Sequence, residues 1–236
     1  DVCIQNLNVK FCLDRGGIAG GDGQTHHGLL DIAYLRPVPN IVLMAPKDEG
    51  EMRDMLLTMT EHNGPAAMRY PRGNGVGVSL DREPQLLEIG KAEILRDGGE
   101  VAIVAYGSMV HPSVVAADNL AKDNIEATVV NARFAKPLDA PLLLALARTK
   151  RLIVTVEEAY LAGGFGSAVL ELLDENGLQD KVRVVRMGVP DRLITHGDAK
   201  LLLAKYGLDA DGIYNRVRES MDVLDERRTL PQRVKS

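Results

Sequence analysis

The chain has 236 residues, of which 45% are hydrophobic and 26% charged, values typical of a soluble globular protein. Its formal net charge of -5 argues against nucleic acid as a partner, because phosphate backbones select basic surfaces. No apolar run of about 18 residues occurs, so we expect neither a membrane-spanning helix nor a membrane partner. Two cysteines outside any CxxC pair favour a reducing compartment, and the cytoplasm is the expected location.

The first residues of the chain have the apolar pattern of the middle of a buried element and not that of its start. The opening "DVCIQNLNVK" has no Met, and Val2, Ile4, Leu7 and Val9 are already apolar. We therefore expect a fragment of a longer polypeptide, with residues needed for function upstream of Asp1.

Strands and helices alternate over residues 1–76, which predicts part of a parallel sheet with helices packed on it. Short apolar runs predict the strands and 3.6-residue periodicity predicts the helices. The predicted strands cover 9–13, 41–46 and 66–73, and the predicted helices lie in "DIAYLRPVPN" and over 47–62.

A second alternating unit is predicted over 100–224, after a glycine- and proline-containing linker at 77–99 that has room for an edge strand. Four β-branched runs separated by helical stretches predict a doubly wound α/β domain. The runs cover 100–107, 126–132, 151–158 and 181–188, and the helices 109–122, 138–148, 166–177, 198–206 and 210–223. The tail at 225–236 has little periodicity and is expected to fray.

The stretch "GGDGQTHHG" at 20–28 is a loop, because its four glycines suit neither helix nor strand. It invites three interpretations: a metal- and diphosphate-binding GDG motif, a histidine metal site or a substrate pocket. The paired asparagines that follow a metal-binding GDG are absent, and an amphipathic helix stands in their place. Adjacent His26 and His27 point to opposite sides of an extended segment, so one metal could hardly take both. We assign no metal ligand, which leaves a substrate pocket or loop histidines that only make local hydrogen bonds; the position at a strand end favours the pocket.

Arginines follow two strands of the first unit. Arg15 comes after the first strand, while Arg69 and Arg72 lie at the end of the third. The carboxyl ends of parallel strands share one edge, so Arg15 and Arg72 can converge over the glycine-rich loop. Two arginines beside a histidine and backbone amides would suit a phosphate ester. The alternative is that the arginines simply pair with Asp14 or Asp22.

Longer stretches resemble a known family. "DRGGIAGGDGQTHHGLLDIAYLRPVPNIVLMAPKDEGEMR" with "MRYPRGN" is similar to the 1-deoxy-D-xylulose-5-phosphate synthase family of transketolase-like thiamine diphosphate enzymes. "VAIVAYGSMV", "ARFAKPLD", "VTVEEAYLAGGFGSAV" and "GVPDRLITHG" resemble the carboxyl-terminal domain that this family shares with transketolases and pyruvate dehydrogenase E1 β chains. The resemblance implies a partial pyrimidine-binding domain followed by a transketolase C-terminal-like domain.

The resemblance also implies an activity. Enzymes of this family condense pyruvate with D-glyceraldehyde 3-phosphate and release carbon dioxide, which serves isoprenoid, thiamine and pyridoxal biosynthesis. They use thiamine diphosphate and Mg²⁺, whose main ligands would lie upstream of this chain, so no cofactor-binding residue is assigned within it. The fragment is not expected to be active alone, and it would pair with the rest of the same protein in a homodimer.

By motif, the resemblance gives roles to five residues. Arg15 and Arg72 would bind the phosphate of the aldehyde substrate, and His26 would contact a substrate oxygen and help to move protons. Asp22 and Thr25 would line the substrate pocket, Asp22 through a hydrogen bond to substrate or to His26. No role is assigned to His27.

Three other interpretations stay open. The chain could be a fragment of a transketolase or of a 2-oxoacid dehydrogenase E1 β chain, although "RYPRG" counts against both. It could also be a non-catalytic assembly module, since the cofactor-binding part is missing from it.

Overall fold

The computed structural model describes residues 1–229, which form two sheets with helices packed against them. The strands are β1 (Lys10–Leu13), β2 (Val42–Met44), β3 (Ala66–Arg69), β4 (Glu93–Arg96), β5 (Val101–Ala105), β6 (Ala127–Asn131), β7 (Phe134–Lys136), β8 (Leu152–Tyr160) and β9 (Arg183–Val189). The helices are α1 (Asp31–Leu35), α2 (Glu49–Glu61), α3 (Val110–Lys122), α4 (Ala140–Thr149), α5 (Phe165–Glu175), α6 (Ala199–Lys205) and α7 (Ala210–Thr229). Every predicted strand and helix is present, with ends that differ by a few residues. In this part of the chain no helix is both long and apolar enough to cross a membrane.

The first sheet has the order β1-β3-β2-β7. Strands β1, β3 and β2 are parallel, as predicted, but β7 comes from the second half of the chain and runs antiparallel to β2. This three-residue strand was not predicted from the sequence. It follows Arg133, whose positive φ of 57° turns the chain back after β6, and the Arg133 carbonyl accepts a 3.0 Å hydrogen bond from the Ala45 amide.

The second sheet has the order β4-β6-β5-β8-β9 and is parallel except for β4. Strand β4 is an edge strand within the predicted linker. The side chains of β5, β6 and β8 alternate between two hydrophobic cores, because successive side chains of a strand point to opposite faces of the sheet. Helices α3 and α7 cover one face and α4 and α5 the other, which confirms the doubly wound α/β class.

The end of α7 differs from the prediction. The helix continues to Thr229, into the segment that was expected to fray, while residues 230–236 lie outside the described part of the chain. Met221 and Leu224 pack against the core, and Asp225 pairs with Arg151 at 2.7 Å. These contacts explain why the helix extends further than its weak periodicity indicated.

The two halves of the chain exchange core residues. Phe134 from β7 is fully buried among the methionines of the first unit, including Met44 and Met59. In return, Ile18 and Leu29 of the first unit pack in the core of the second, on the α3 and α7 side. The loop that contains the candidate site is therefore anchored in both units.

A buried charge cluster also joins the two halves. Glu51 on α2 is only 2% exposed and accepts hydrogen bonds from the Lys47 amide at 2.8 Å, Asn131 Nδ2 at 2.8 Å and Arg133 Nε at 2.7 Å. Glu93 of β4 pairs with Lys47 and Arg133, each at 2.9 Å. A buried carboxylate with this many donors is costly to remove, because its cationic partners stay behind in a dry environment.

Substitution of Glu51 should therefore destabilise the fold. We expect Glu51→Ala to lower the free energy of unfolding by about 3 kcal/mol, measured by urea denaturation followed by circular dichroism. Glu100→Ala is the matched control, because Glu100 is 58% exposed and pairs with Arg151 at the surface, where the expected loss is below about 1 kcal/mol. Equal losses in the two variants would contradict a structural role for the buried cluster.

Candidate active site

The candidate site lies on the loop that follows β1, residues 14–28, which we call the glycine loop. Its two ends are joined by backbone hydrogen bonds from Gly17 N to the Gly28 carbonyl at 2.8 Å and from Gly28 N to the Arg15 carbonyl at 3.0 Å. The Gly16 amide donates to the Tyr70 carbonyl at 2.8 Å, beyond the end of β3. The loop is thus a closed structure at the carboxyl edge of the first sheet, where parallel sheets place their ligands.

Arg15 and Arg72 converge, and they do so on a single carboxylate. Arg15 Nε lies 2.9 Å from Asp22 Oδ2, and Arg72 Nη1 lies 2.8 Å from Asp22 Oδ1. Arg15 also pairs with Asp14, and Arg72 donates to the Ala19 carbonyl at 3.3 Å. Both predicted arrangements are therefore present together: the arginines meet over the loop, and acidic residues neutralise them.

The charges of this group constrain what it can bind. The hydrogen bond from Arg15 lowers the pKa of the Asp22 carboxyl below its ordinary value, so Asp22 is an anion at neutral pH. An incoming anion can replace Asp22 on one of the two guanidinium groups or bind to the N–H donors that Asp22 leaves free. Phosphate can do so, since it offers several acceptor oxygens and more negative charge than a carboxylate.

Thr25 and His26 lie in the short helical turn Gln24–His26, and both are exposed. The Thr25 hydroxyl contacts His26 Nδ1 at 3.1 Å, which leaves Nε2 as the nitrogen that can face a ligand. Both Asp22 oxygens bond to arginines, and a hydrogen bond to His26, one of the two expected partners of Asp22, is not among the described contacts.

His27 holds the loop together. Its Nδ1 accepts a 3.0 Å hydrogen bond from the Ala19 amide, which places the proton of the neutral ring on Nε2. That Nε2 is buried and has no hydrogen-bond partner among the described residues. No role for His27 was predicted from the sequence, whereas the hydrogen bond to Ala19 gives it a local structural one.

The loop does not fit a magnesium ion. Each oxygen of the Asp22 carboxylate is already bonded to a guanidinium group, so a cation would have to compete with two arginines for the GDG aspartate. Within residues 1–229, no three His, Cys, Asp or Glu side chains are grouped so that they could hold a metal. We therefore assign no ligand of a metal-bound cofactor to this chain and derive no step from one.

Beneath the loop lies a buried ion pair that the sequence analysis did not predict. Arg69, only 4% exposed, pairs with Asp31 at 2.7 Å and donates to the Gly28 carbonyl at 2.9 Å and the Glu158 carbonyl at 3.1 Å. Burial opposes the charge on Arg69, but the nearby Asp31 carboxylate offsets it and keeps its pKa above the ordinary value. Arg69 is thus a structural support and not a ligand-facing residue, unlike Arg72.

Two adjacent glutamates near the end of β8 act on opposite faces of the sheet. Glu158 accepts 2.6 Å hydrogen bonds from the Ile18 amide of the glycine loop and from the Ser108 hydroxyl. Glu157 accepts from the first amides of α5, Phe165 N at 2.6 Å and Gly166 N at 2.8 Å. Burial raises the pKa of Glu157 to about 7 and also raises that of Glu158. Two acids in an otherwise apolar strand were the sequence signal for these contacts.

Comparison with known proteins agrees with this architecture. The family model of the transketolase pyrimidine-binding domain matches residues 1–76, and that of the transketolase C-terminal domain matches residues 90–213. The chain belongs to the transketolase family. Its similarity is high to 1-deoxy-D-xylulose-5-phosphate synthase 1 of Geobacter metallireducens, at 58% identity over 94% of this chain and 35% of the relative. A 1-deoxy-D-xylulose-5-phosphate synthase of Synechococcus sp. is also 58% identical, over 92% of this chain and 34% of the relative.

The resemblance seen in the sequence is thereby confirmed, and the chain spans about a third of the length of these curated relatives. Among solved structures, a chain titled "Split gene transketolase, inactive beta4 tetramer" is 33% identical with a TM-score of 0.81, over 92% of this chain and 68% of that one. A Pichia stipitis transketolase mutant at 19% identity and a TM-score of 0.72, over 95% of this chain and 32% of that one, shares the fold.

Gly17 should be intolerant of any side chain. It has a φ of +94°, and an added Cβ would lie 2.3 Å from Glu158 Cδ. We expect Gly17→Ala to cost about 2–4 kcal/mol of unfolding free energy, the sum of backbone strain and a steric clash. Gly77→Ala isolates the strain, because Gly77 has a φ of +96° with open space around it, and we expect it to cost about 1 kcal/mol. Thermal or urea unfolding that gave both variants the same stability would show that no clash occurs.

Proposed function

We propose that this chain is part of a thiamine diphosphate-dependent transferase that condenses pyruvate with D-glyceraldehyde 3-phosphate, releases carbon dioxide and forms 1-deoxy-D-xylulose 5-phosphate. The 1-deoxy-D-xylulose-5-phosphate synthases that it resembles support the reaction. The chain supplies groups on the substrate side. Thiamine diphosphate and Mg²⁺ are held by residues outside it, in the remaining part of the same protein.

One observation carries the assignment of the substrate side. Arg15 and Arg72 bond to the two oxygens of Asp22 at 2.9 and 2.8 Å, close to the turn that carries His26. A phosphate group can replace the carboxylate in this arrangement, because guanidinium groups bind phosphate oxygens with the same geometry. A phosphorylated aldehyde bound there would place its carbon chain over Thr25 and His26.

The residues of this chain would act in binding and in proton transfer. Thiamine diphosphate supplies, when bound, the carbanion chemistry that decarboxylation of pyruvate requires. As the new carbon–carbon bond forms, the aldehyde oxygen gains negative charge, and His26 Nε2 donates a hydrogen bond or a proton to it. Arg15 and Arg72 fix the opposite end of the substrate, and Asp22, which bonds to both arginines, lines the pocket.

The homodimer, the cytoplasmic location and the place in isoprenoid, thiamine and pyridoxal biosynthesis belong to the same proposal. Two free thiols, Cys3 and Cys12, are consistent with a reducing compartment. The dimer rests on the family resemblance.

The reaction is tested on the native polypeptide that carries this chain, supplied with thiamine diphosphate and Mg²⁺. We expect release of carbon dioxide from pyruvate to increase on addition of glyceraldehyde 3-phosphate, with one equivalent of deoxyxylulose phosphate detected by mass spectrometry. Transfer of a two-carbon unit from xylulose 5-phosphate instead would indicate a transketolase, and acyl transfer to lipoamide an E1 enzyme. An intact mass near that of 236 residues, with no reaction, would favour a non-catalytic module.

Arg72→Ala should affect the two substrates unequally. Loss of a charge-assisted hydrogen bond to phosphate is expected to raise the KM for glyceraldehyde 3-phosphate about tenfold to a hundredfold and to leave the KM for pyruvate nearly unchanged. Arg218→Ala is the control, because its side chain is 49% exposed against 51% for Arg72 and lies on α7. Steady-state kinetics with equal effects on both substrates would contradict the phosphate-binding role.

A further inference from the structure

We propose that Glu158 and Ser108 of the second domain are positioning residues that hold the glycine loop in its phosphate-binding conformation. The proposal rests on the proposed function for its kinetic consequence but not for its structural part. It extends the substrate site into a domain to which neither the loop nor its arginines belong.

The contact is short, buried and long-range. Glu158 Oε1 accepts a hydrogen bond from the Ile18 amide and Glu158 Oε2 one from the Ser108 hydroxyl, both at 2.6 Å. Glu158 is only 3% exposed. Each carboxylate oxygen thus has its own donor. One donor is backbone of the first domain and the other is a side chain of the second, so the carboxylate links the two domains directly.

The position of this contact in the fold is informative. Ser108 follows β5 and Glu158 lies near the end of β8, and these two strands are parallel neighbours. From β5 the chain passes through α3 to β6 on one side, and from β8 it passes through α5 to β9 on the other. Such a divergence opens the crevice in which doubly wound domains usually bind a ligand. Here the glycine loop fills that crevice with Ile18.

The loop is shaped to enter the crevice. Gly17 takes a positive φ, and an added Cβ there would lie 2.3 Å from Glu158 Cδ, so only glycine lets the carboxylate approach the next amide. The Ile18 side chain, 4% exposed, packs in the core of the second domain. One residue of the loop is therefore fixed by both its backbone and its side chain.

The fixed residue lies between the two arginine contacts. Arg15 precedes Ile18 by three residues, and the next residue, Ala19, accepts from Arg72 through its carbonyl at 3.3 Å. The Ala19 amide in turn donates to His27. If Ile18 moves, the separation of Arg15 and Arg72 changes with it, and two guanidinium groups can no longer bind one phosphate together.

The structural part is tested by amide hydrogen exchange over residues 14–28 in the holoenzyme. We expect Ser108→Ala to increase exchange in the loop and Glu158→Ala to increase it further. Ser113→Ala is the control, because Ser113 lies in the same region but is fully buried and donates to the Met109 carbonyl just before α3, with no bond to Glu158 or to the loop. If Glu158→Ala does not fold, the Ser108 and Ser113 pair decides. Unchanged loop exchange in Ser108→Ala would overturn the proposal.

The kinetic part uses the same variants. Glu158→Ala should raise the KM for glyceraldehyde 3-phosphate about tenfold or more, with less than a twofold change for pyruvate. Glu158→Gln should restore it to within about threefold, because the amide can accept from Ile18 and donate to Ser108. Glu157→Ala, which removes the acceptor of the α5 amides, should lower stability without this split between substrates. A Gln variant as impaired as the Ala variant would overturn the proposal.

A double-mutant cycle connects the positioning residue to the arginine. In an Arg72→Ala background, Glu158→Ala should raise the KM for glyceraldehyde 3-phosphate by much less than it does in the wild type. The reason is that binding of one phosphate by both arginines is already lost. Fully additive effects would show that Glu158 does not act through the arginines. Failure of the wild type to use glyceraldehyde 3-phosphate would refute the proposed function alone, because the exchange measurement still decides the loop contact.

Discussion

Arg69 is a cation placed where water hardly reaches it, and three separate parts of the chain supply its acceptors. Asp31 at the start of α1 gives the neutralising charge, while the carbonyls of Gly28 and Glu158 take the remaining bonds. A buried charge that lost one partner would be costly, so these segments are held in one arrangement. The glycine loop, the first helix and the second domain thus keep their relative positions because one guanidinium group requires all of them.

Above this rigid base, the candidate ligand-binding groups are partly or fully exposed and mutually neutralised. Asp22 bonds to both Arg15 and Arg72, which preserves their spacing and limits their repulsion. The arrangement separates two demands. Buried residues such as Glu158 bond to the loop backbone, and under the proposed function the arginines above it would exchange partners when a phosphate binds. Pre-organisation of this kind reduces the entropy lost on binding.

Much of this could be predicted from sequence, because apolar periodicity is a local signal and strand ends share an edge. That logic placed Arg15, Arg72 and Asp22 together correctly. It could not show that β7 returns to the first sheet, because β7 has only three residues, too few for an alternating apolar pattern to be recognised. The two acids in β8 signalled buried partners, but the partner of Glu158 lies 140 positions away, and spacing along the chain does not report such a contact.

Strand β7 bears on whether the two domains could be encoded by separate genes. Family boundaries divide the chain between residues 76 and 90, yet β7 supplies the fourth strand of the first sheet, and Phe134 completes its methionine core. A gene fission in that interval would leave β2 with an unpaired edge, a surface that invites aggregation. The first family domain of this chain therefore depends on the second for a complete sheet and core.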